Sequence, residues 1–353
     1  MSNKAKSPLK GWSFICHELE IDQKNSFVNI ELYDKEVFAY KDKMEVKVYD
    51  NFCNHRGCKL VEGSSGLWNG SCPYHGLRFE NGQPINSEDL GLKKSDSRLT
   101  LNAYRVEKVG GFIFFTDNDD EVSLKDFLGE KTTLLLTDIS SSLDTLISDE
   151  AYLYDCRIEV AIENALEPLH LESIHPNSLN ELKLGIADNY FSDNSVIFTQ
   201  DIGNEKTKKG LLKLQKFFES KFEEKYQSTF IFPSFFISST FGFSFSVQTF
   251  YPSNDKFKTH FRSRIYSSKL LDDNKSTILK SFFDSTISIN KQIFKEDYEI
   301  YNVSAGSWGP GNWNQFIKEN GLFNADQIIF LISSHDLKDI PNPMTKINNQ
   351  IIE

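Results

Sequence analysis

Two short stretches of the chain combine a thiol with an imidazole. Cys53 and His55 lie two residues apart, Cys72 and His75 three apart, and sixteen residues separate the two pairs. Two thiolates and two imidazoles are the donor set of a [2Fe–2S] cluster in which one iron takes both Cys and the other both His. Neutral imidazoles in place of two thiolates remove negative charge, so such a cluster accepts an electron far more readily than a four-cysteine centre. Gly57 follows the first pair and Gly76 the second, and without a Cβ each lets backbone N–H groups approach the cluster sulfides. A structural zinc ion also accepts two Cys and two His. Zinc knuckles, however, usually pair like ligands within one loop, whereas both loops here mix them. The residues favour a cluster held by Cys53, His55, Cys72 and His75, and chemistry that moves electrons one at a time.

A second constellation lies further along, where His170 and His175 are five residues apart. On an ideal helix that separation is a rotation of about 140°, so the two rings would not share a face. Pro176 removes the conflict, because it biases His175 out of the helical region and ends the helix there. His175 can then turn back toward whatever His170 faces. Glu163, Glu167 and His170 fall on one ridge of the same helix, and Asn164 is a candidate supporting residue beside them. Two His and one carboxylate make the facial triad that holds Fe(II) with positions left open for O2. The carboxylate expected to complete it is Asp297. It interrupts an inward row of Ile289, Ile293 and Ile300 on a late helix, and a carboxylate pointing into a core must be paired or bind a metal. Its neighbours Glu296 and Glu299 are expected to face water.

These residues need elements to hold them, and 353 residues suffice for two domains with separate cores. Short alternating runs at 27–32, 37–40 and 44–48 read as an antiparallel meander leading into the first Cys–His loop. Further strands are expected at 99–102, 104–109 and 111–116, with a domain boundary at the acidic turn near residue 120. The expected division is 1–120 and 121–353. In the second part, 152–160 reads as a strand, 162–175 as a helix, and 196–200, 228–232, 235–239, 243–251 and 259–267 as antiparallel strands rich in Phe, Ile and Val. A long helix is expected over 275–303. The fold class is α+β, a sheet with segregated helices after an all-β domain.

The net charge of −11 and a single short Lys-rich run at 206–209 leave no footprint for nucleic acid. The first twelve residues lack an apolar signal segment, and the most apolar stretch, 230–247, is broken by Pro233 and many Ser and Thr. A cytoplasmic protein with no membrane partner is expected. Five Cys, an odd number, suggest no disulfide framework, and Cys16 and Cys156 are expected to pack as small apolar residues. Neither a GxGxxG nor a GxxxxGK[ST] pattern occurs, so no nucleotide or flavin site is apparent. His17, His260 and His335 read as ordinary polar residues, His260 being the one candidate for a substrate pocket.

Together these passages resemble the catalytic (alpha) subunit of Rieske non-heme iron oxygenases, the ring-hydroxylating oxygenase family. The resemblance runs over nearly the whole chain and rests on residues 53–57, 72–79, 163–176, 232–248 and 293–297. It implies an N-terminal Rieske [2Fe–2S] domain, a helix-grip catalytic domain with a mononuclear Fe(II) on His170, His175 and Asp297, and a homotrimer. In that ring the cluster of one subunit lies near the iron of its neighbour, and a carboxylate three residues before the first iron-binding His bridges them. Here that residue is Glu167 where the family usually has Asp; members acting on quaternary-ammonium substrates also tend to carry Glu, although Pro168 and Leu169 replace the rest of their pattern. By this resemblance His75 passes an electron through Glu167 to His170. Respiratory-chain Rieske proteins carry an extra Cys in each loop and join the two in a disulfide; here Cys58 stands opposite Tyr74, which argues against that type.

The activity implied is oxygenation of a small organic substrate with O2, using electrons that originate in NAD(P)H and arrive from a separate reductase, with or without a ferredoxin. Hydroxylation or oxidative dealkylation is the first expectation and cis-dihydroxylation of an aromatic ring the second. The substrate is expected to sit in a Phe-rich pocket drawn from 230–250. A non-catalytic electron-transfer or sensor protein is the alternative from another class, and a zinc-stabilised binding module a third.

Overall fold

The computed structural model describes residues 11–304, apart from 33–34, 43–44, 94–95, 119–120, 167–169, 193, 220–221, 256 and 273–275. The chain divides into two compact units, Met1–Leu124 and Lys125–Glu353. Glu167 and His335 lie outside the described residues.

The strands of the first unit pair antiparallel throughout. Its largest sheet has the order β4-β3-β2-β5, made of β2 (Ser26–Leu32), β3 (Lys35–Asp42), β4 (Glu45–Asp50) and β5 (Ser65–Leu67). A second sheet places β9 (Phe112–Thr116) between β1 (Ser13–His17) and β8 (Arg105–Val109). All five residues of β9 are buried, as a central strand covered on both faces requires. A small hairpin pairs β6 (Phe79–Glu80) with β7 (Gln83–Pro84). The segment expected as a strand at 99–102 begins as a 3-10 turn, Ser97–Leu99, because the Asp96 side chain accepts from Arg98 N and caps it.

In the second unit seven antiparallel strands lie in the order β10-β16-β15-β14-β13-β12-β11. They are β10 (Leu143–Tyr154), β11 (Asp188–Phe191), β12 (Ser195–Asp201), β13 (Lys225–Ile231), β14 (Phe235–Thr240), β15 (Ser244–Pro252) and β16 (Thr259–Ser268). The helices are α1 (Leu124–Leu128), α2 (Glu130–Ser142), α3 (Ile158–Leu166), α4 (Leu171–Ile174), α5 (Glu205–Gln215) and α6 (Ser276–Ser304). The Lys-rich run at 206–209 is part of α5, whose first turn is capped by Asn204 accepting from Lys206 N and Thr207 N.

Two expected elements of the second unit differ. The strand placed at 152–160 ends at Tyr154, and α3 starts at Ile158; the apolar run reads the same for a buried strand end and a buried helix start. The helix placed at 162–175 is α3 and then the single turn α4, with 167–169 between them outside the described residues.

Helix α6 packs against β10 and β16 through aromatic rings. Phe294 meets Phe261 at 4.8 Å between ring centres, and Tyr301 meets Tyr154 at 5.0 Å. Side chains alternate between the faces of a strand, so Phe261 faces α6 and its neighbour His260 points to the opposite face. His260 is therefore not a pocket residue. No described helix is long and apolar enough to cross a membrane.

Candidate metal centres

Both Cys–His loops of the first unit close the same pair of backbone bonds. Cys53 N donates to Cys58 O (2.8 Å) and Gly57 N to Cys53 O (2.8 Å); Cys72 N donates to Leu77 O (2.8 Å) and Gly76 N to Cys72 O (3.0 Å). Each loop thus turns alike, although its His is two residues past the Cys in one and three in the other. Gly57 and Gly76 take φ of 69° and 70°, where a side chain would be strained, and a Cβ on either would meet no atom within 4 Å.

Side chains from the core fix the loop bases. Buried Asn51 accepts from Leu60 N and Val61 N (both 2.9 Å) and donates to Val61 O (2.9 Å). Trp68 Nε1 donates to Ser71 O (2.9 Å), and Asn86 Nδ2 donates to Gly76 O (3.0 Å). Cys53 and Cys72 are buried in one cluster with Phe38, Trp68 and Leu77.

The donor set suits a cluster on two further observations. The His55 and His75 rings lie 4.9 Å apart, and the Nδ1 of His55 is buried without a hydrogen-bond partner, a lone pair that a metal would occupy. Burial, with Cys72 close by, pushes the Cys53 thiol up to about 11, so Cys53 ionises at neutral pH only if a cation takes up the charge. All five cysteines are free, Cys16 and Cys156 among the buried ones. Tyr74 is 59% exposed and lays its ring 3.8 Å from that of His75.

In the second unit His170, His175 and Asp297 bring one donor atom each within 4.8 Å of one another. His170 and His175 stand on either end of α4, one at its N-cap and the other at its C-cap with φ −114° and ψ 43°. The His175 backbone has left the helical region, as Pro176 requires. The rings come to 5.1 Å between centres.

Asp297 comes from α6. Its Oδ1 accepts from Asn164 Nδ2 (2.8 Å) and lies 3.2 Å from His175 Nε2. Its charge adds to the burial that raises the phenols of Tyr154 and Tyr301 well above their ordinary range. An anionic side chain among buried aromatic rings is a place where a cation is stabilised.

Nothing in the sequence marks Glu296, and the expectation that it faces water is wrong. Glu296 is partly buried, and its Oε2 accepts from His175 Nδ1 (2.8 Å) and Ser178 Oγ (2.7 Å), while Oε1 accepts from Gln292 Nε2 (2.8 Å). Burial alone would raise its carboxyl, but these bonds outweigh burial and lower it. For His175, burial opposes the charged ring and the Asp297 and Glu296 carboxylates outweigh it, so its pKa rises. Glu296 thus holds the His175 ring at Nδ1 and leaves Nε2 facing Asp297, the atom that a metal bound between them would take. Glu299 remains exposed and pairs with Lys295. Ile289 is 42% exposed, so the inward row on α6 begins later than expected, at Ile293. Replacing Glu296 by Gln is expected to weaken iron binding at this site by about ten- to a hundredfold with the cluster untouched; iron titration of the purified variant checks it.

A cavity of about 630 Å³ opens beside the three donors, lined in part by Tyr154, Phe236, Phe250, Phe261 and Phe294. Phe236 and Phe250 come from the expected range, whereas Phe261 and Phe294 come from strands and helices outside it.

Residues 11–94 match the family described as the Rieske [2Fe–2S] domain. The chain is 27% identical to the alpha subunit of toluate 1,2-dioxygenase of Pseudomonas putida over 47% of its length and 39% of that protein's. It is 29% identical to the alpha subunit of N,N-dimethyl phenylurea N-demethylase of a Sphingobium strain, over 49% of the chain and 40% of the relative. The chain is a homologue of Rieske oxygenase alpha subunits. In both comparisons it spans about two fifths of the curated relative. A solved quaternary ammonium Rieske monooxygenase shares the fold, with a TM-score of 0.66 over 96% of this chain and 89% of that one at 16% identity. The cofactors of this homologous group are a [2Fe–2S] cluster and a mononuclear iron, and the two donor sets described above suit one each.

Proposed function

We propose that this Rieske oxygenase homologue hydroxylates or oxidatively dealkylates a small organic substrate, using O2 and electrons from a separate reductase. The observation that carries this reading is the convergence of His170, His175 and Asp297 on the wall of a cavity of ligand size. The similarity to an N-demethylase supports dealkylation; the similarity to toluate 1,2-dioxygenase makes ring dihydroxylation the second reading. Cys53, His55, Cys72 and His75 are assigned to the cluster and His170, His175 and Asp297 to the iron. The two functional domains are assigned to 1–120 and 121–353, in a homotrimer in which Glu167 stands between His75 of one subunit and His170 of the next.

When bound, the cluster would supply single electrons and the mononuclear iron would activate O2. The residues of the chain have distinct tasks. Asn164 holds the Asp297 carboxylate by its Oδ1, and Glu296 holds the proton of His175 at Nδ1. The rings of Phe250, Phe261 and Phe294 keep water from the space beside the three donors. In this reading Glu167 would accept from the outer N–H of one imidazole of each centre.

Purified protein is expected to be red-brown, to show a Rieske-type EPR signal after reduction, and to carry about three iron per chain. Colourless protein with stoichiometric zinc would sink the assignment.

A further inference from the structure

The cavity beside His170, His175 and Asp297 has two chemically different ends. Next to Asp297, Tyr154 stacks on Phe261 at 4.9 Å, and Phe261 meets Phe250 at 4.9 Å and Phe294 at 4.8 Å. Along the sheet the lining changes character in successive register rows. Phe250 pairs with Phe261, the next row on that face pairs Phe236 with Gln248, and the row beyond pairs Ser238 with Ser228. Each row lies about 7 Å further along the strands. Tyr226 follows Ser228 on the same face, and its phenol, which burial raises, is hydrogen-bonded by Ser238 and Ser228.

Gln248, Ser228, Ser238 and Tyr226 therefore form a neutral polar band that starts about 7 Å from the aromatic end at Gln248 and reaches about 20 Å along the strands at Tyr226. Among the described lining residues there is no Lys or Arg, and the acidic ones are Glu172 and Asp297. Asp297 is already engaged by Asn164 and His175, and Glu172 is exposed. A carboxylate entering this space would lose its hydration without gaining a counter-charge, and Asp297 would repel it. An organic cation would find no unengaged buried carboxylate among the described lining. A neutral carbonyl or hydroxyl, in contrast, finds both donors and acceptors in the band.

We propose that the cavity selects an uncharged substrate, with an aryl or N-alkyl group at the aromatic end and a neutral hydrogen-bonding group, such as an amide or urea, at Gln248, Ser228, Ser238 and Tyr226. The site of reaction rests on the oxygenase reading; the preference for a neutral molecule rests on the lining alone.

The test is calorimetric binding to the metal-loaded protein of three near-isosteric probes: 4-methylbenzamide, 4-methylbenzoate and 4-methylbenzamidinium. The amide is expected to bind at least about tenfold more tightly than either ion, and Tyr226→Phe or Gln248→Leu to weaken it by about tenfold with cluster absorption and melting temperature unchanged. Gln248→Lys is expected to raise benzoate affinity to at least that of the amide. Equal or tighter binding of either ion, no binding of any probe, or an amide affinity unmoved by both variants overturns the proposal. Iron content and reductant-coupled O2 uptake on the same samples report on the oxygenase reading separately. An enzyme that turns over a carboxylate would refute the neutral-substrate proposal alone, and selective amide binding without mononuclear iron would refute the oxygenase reading alone.

Discussion

Asp297→Ala is expected to leave the chain with its cluster spectrum intact, its mononuclear iron below about a tenth per chain, and turnover at background. The facial set loses its only anionic donor, and two neutral imidazoles hold Fe(II) poorly without it. The same change frees Asn164 Nδ2 and the Nε2 side of His175 from their shared partner, so the remaining donors lose their alignment as well. Metal analysis alongside the visible spectrum separates the centres. An unchanged iron content of about three per chain would move the assignment to another carboxylate, and the half-buried Glu296 is next in line. Because Glu296 already accepts from His175, Ser178 and Gln292, it is placed to orient a ligand and not to be one.

The second large effect concerns Glu167. Glu167→Gln keeps the size of the side chain and removes its charge. Both metal centres are expected to remain fully loaded, while turnover coupled to reductant falls by at least about a hundredfold. Rapid mixing of the pre-reduced variant with substrate and O2 locates the defect: the cluster should stay reduced where the parent protein reoxidises it. Coupled turnover at the parent rate would take Glu167 out of the electron path. The longer Glu side chain, against the Asp usual in this family, makes Glu167→Asp an informative companion, expected to retain part of the rate.

Much of the first centre was legible before any fold was known. The four candidate donors lie in two runs of three and four residues, so local spacing is enough to single them out, and the shared backbone bonds of the two loops follow from Gly57 and Gly76. The second centre was legible in part. Pro176 announced that His175 leaves the helix, but the partnership of His175 with Asp297 spans more than a hundred residues and rested on an interrupted apolar row. The row starts only at Ile293, since Ile289 is exposed. The expectation that Glu296 faces water fails for the same reason: helical periodicity gives a direction around α6 and says nothing of what α4 brings against it.

What the sequence by itself determined is the chemistry available: a Cys–His pair in each of two loops, two His about a proline-terminated turn, and an acidic residue within an apolar helix face. Donor type and short-range spacing are properties of neighbours along the chain, and they survive any choice of tertiary arrangement. Only the tertiary structure decided that Glu296 fixes His175, that His260 turns away from the pocket, and that Gln248, Ser228, Ser238 and Tyr226 line one side of it. The first depends on how α4 packs against α6; the other two depend on strand register and on which face of a strand each residue takes, and a shift of one residue in the pairing would have reversed them.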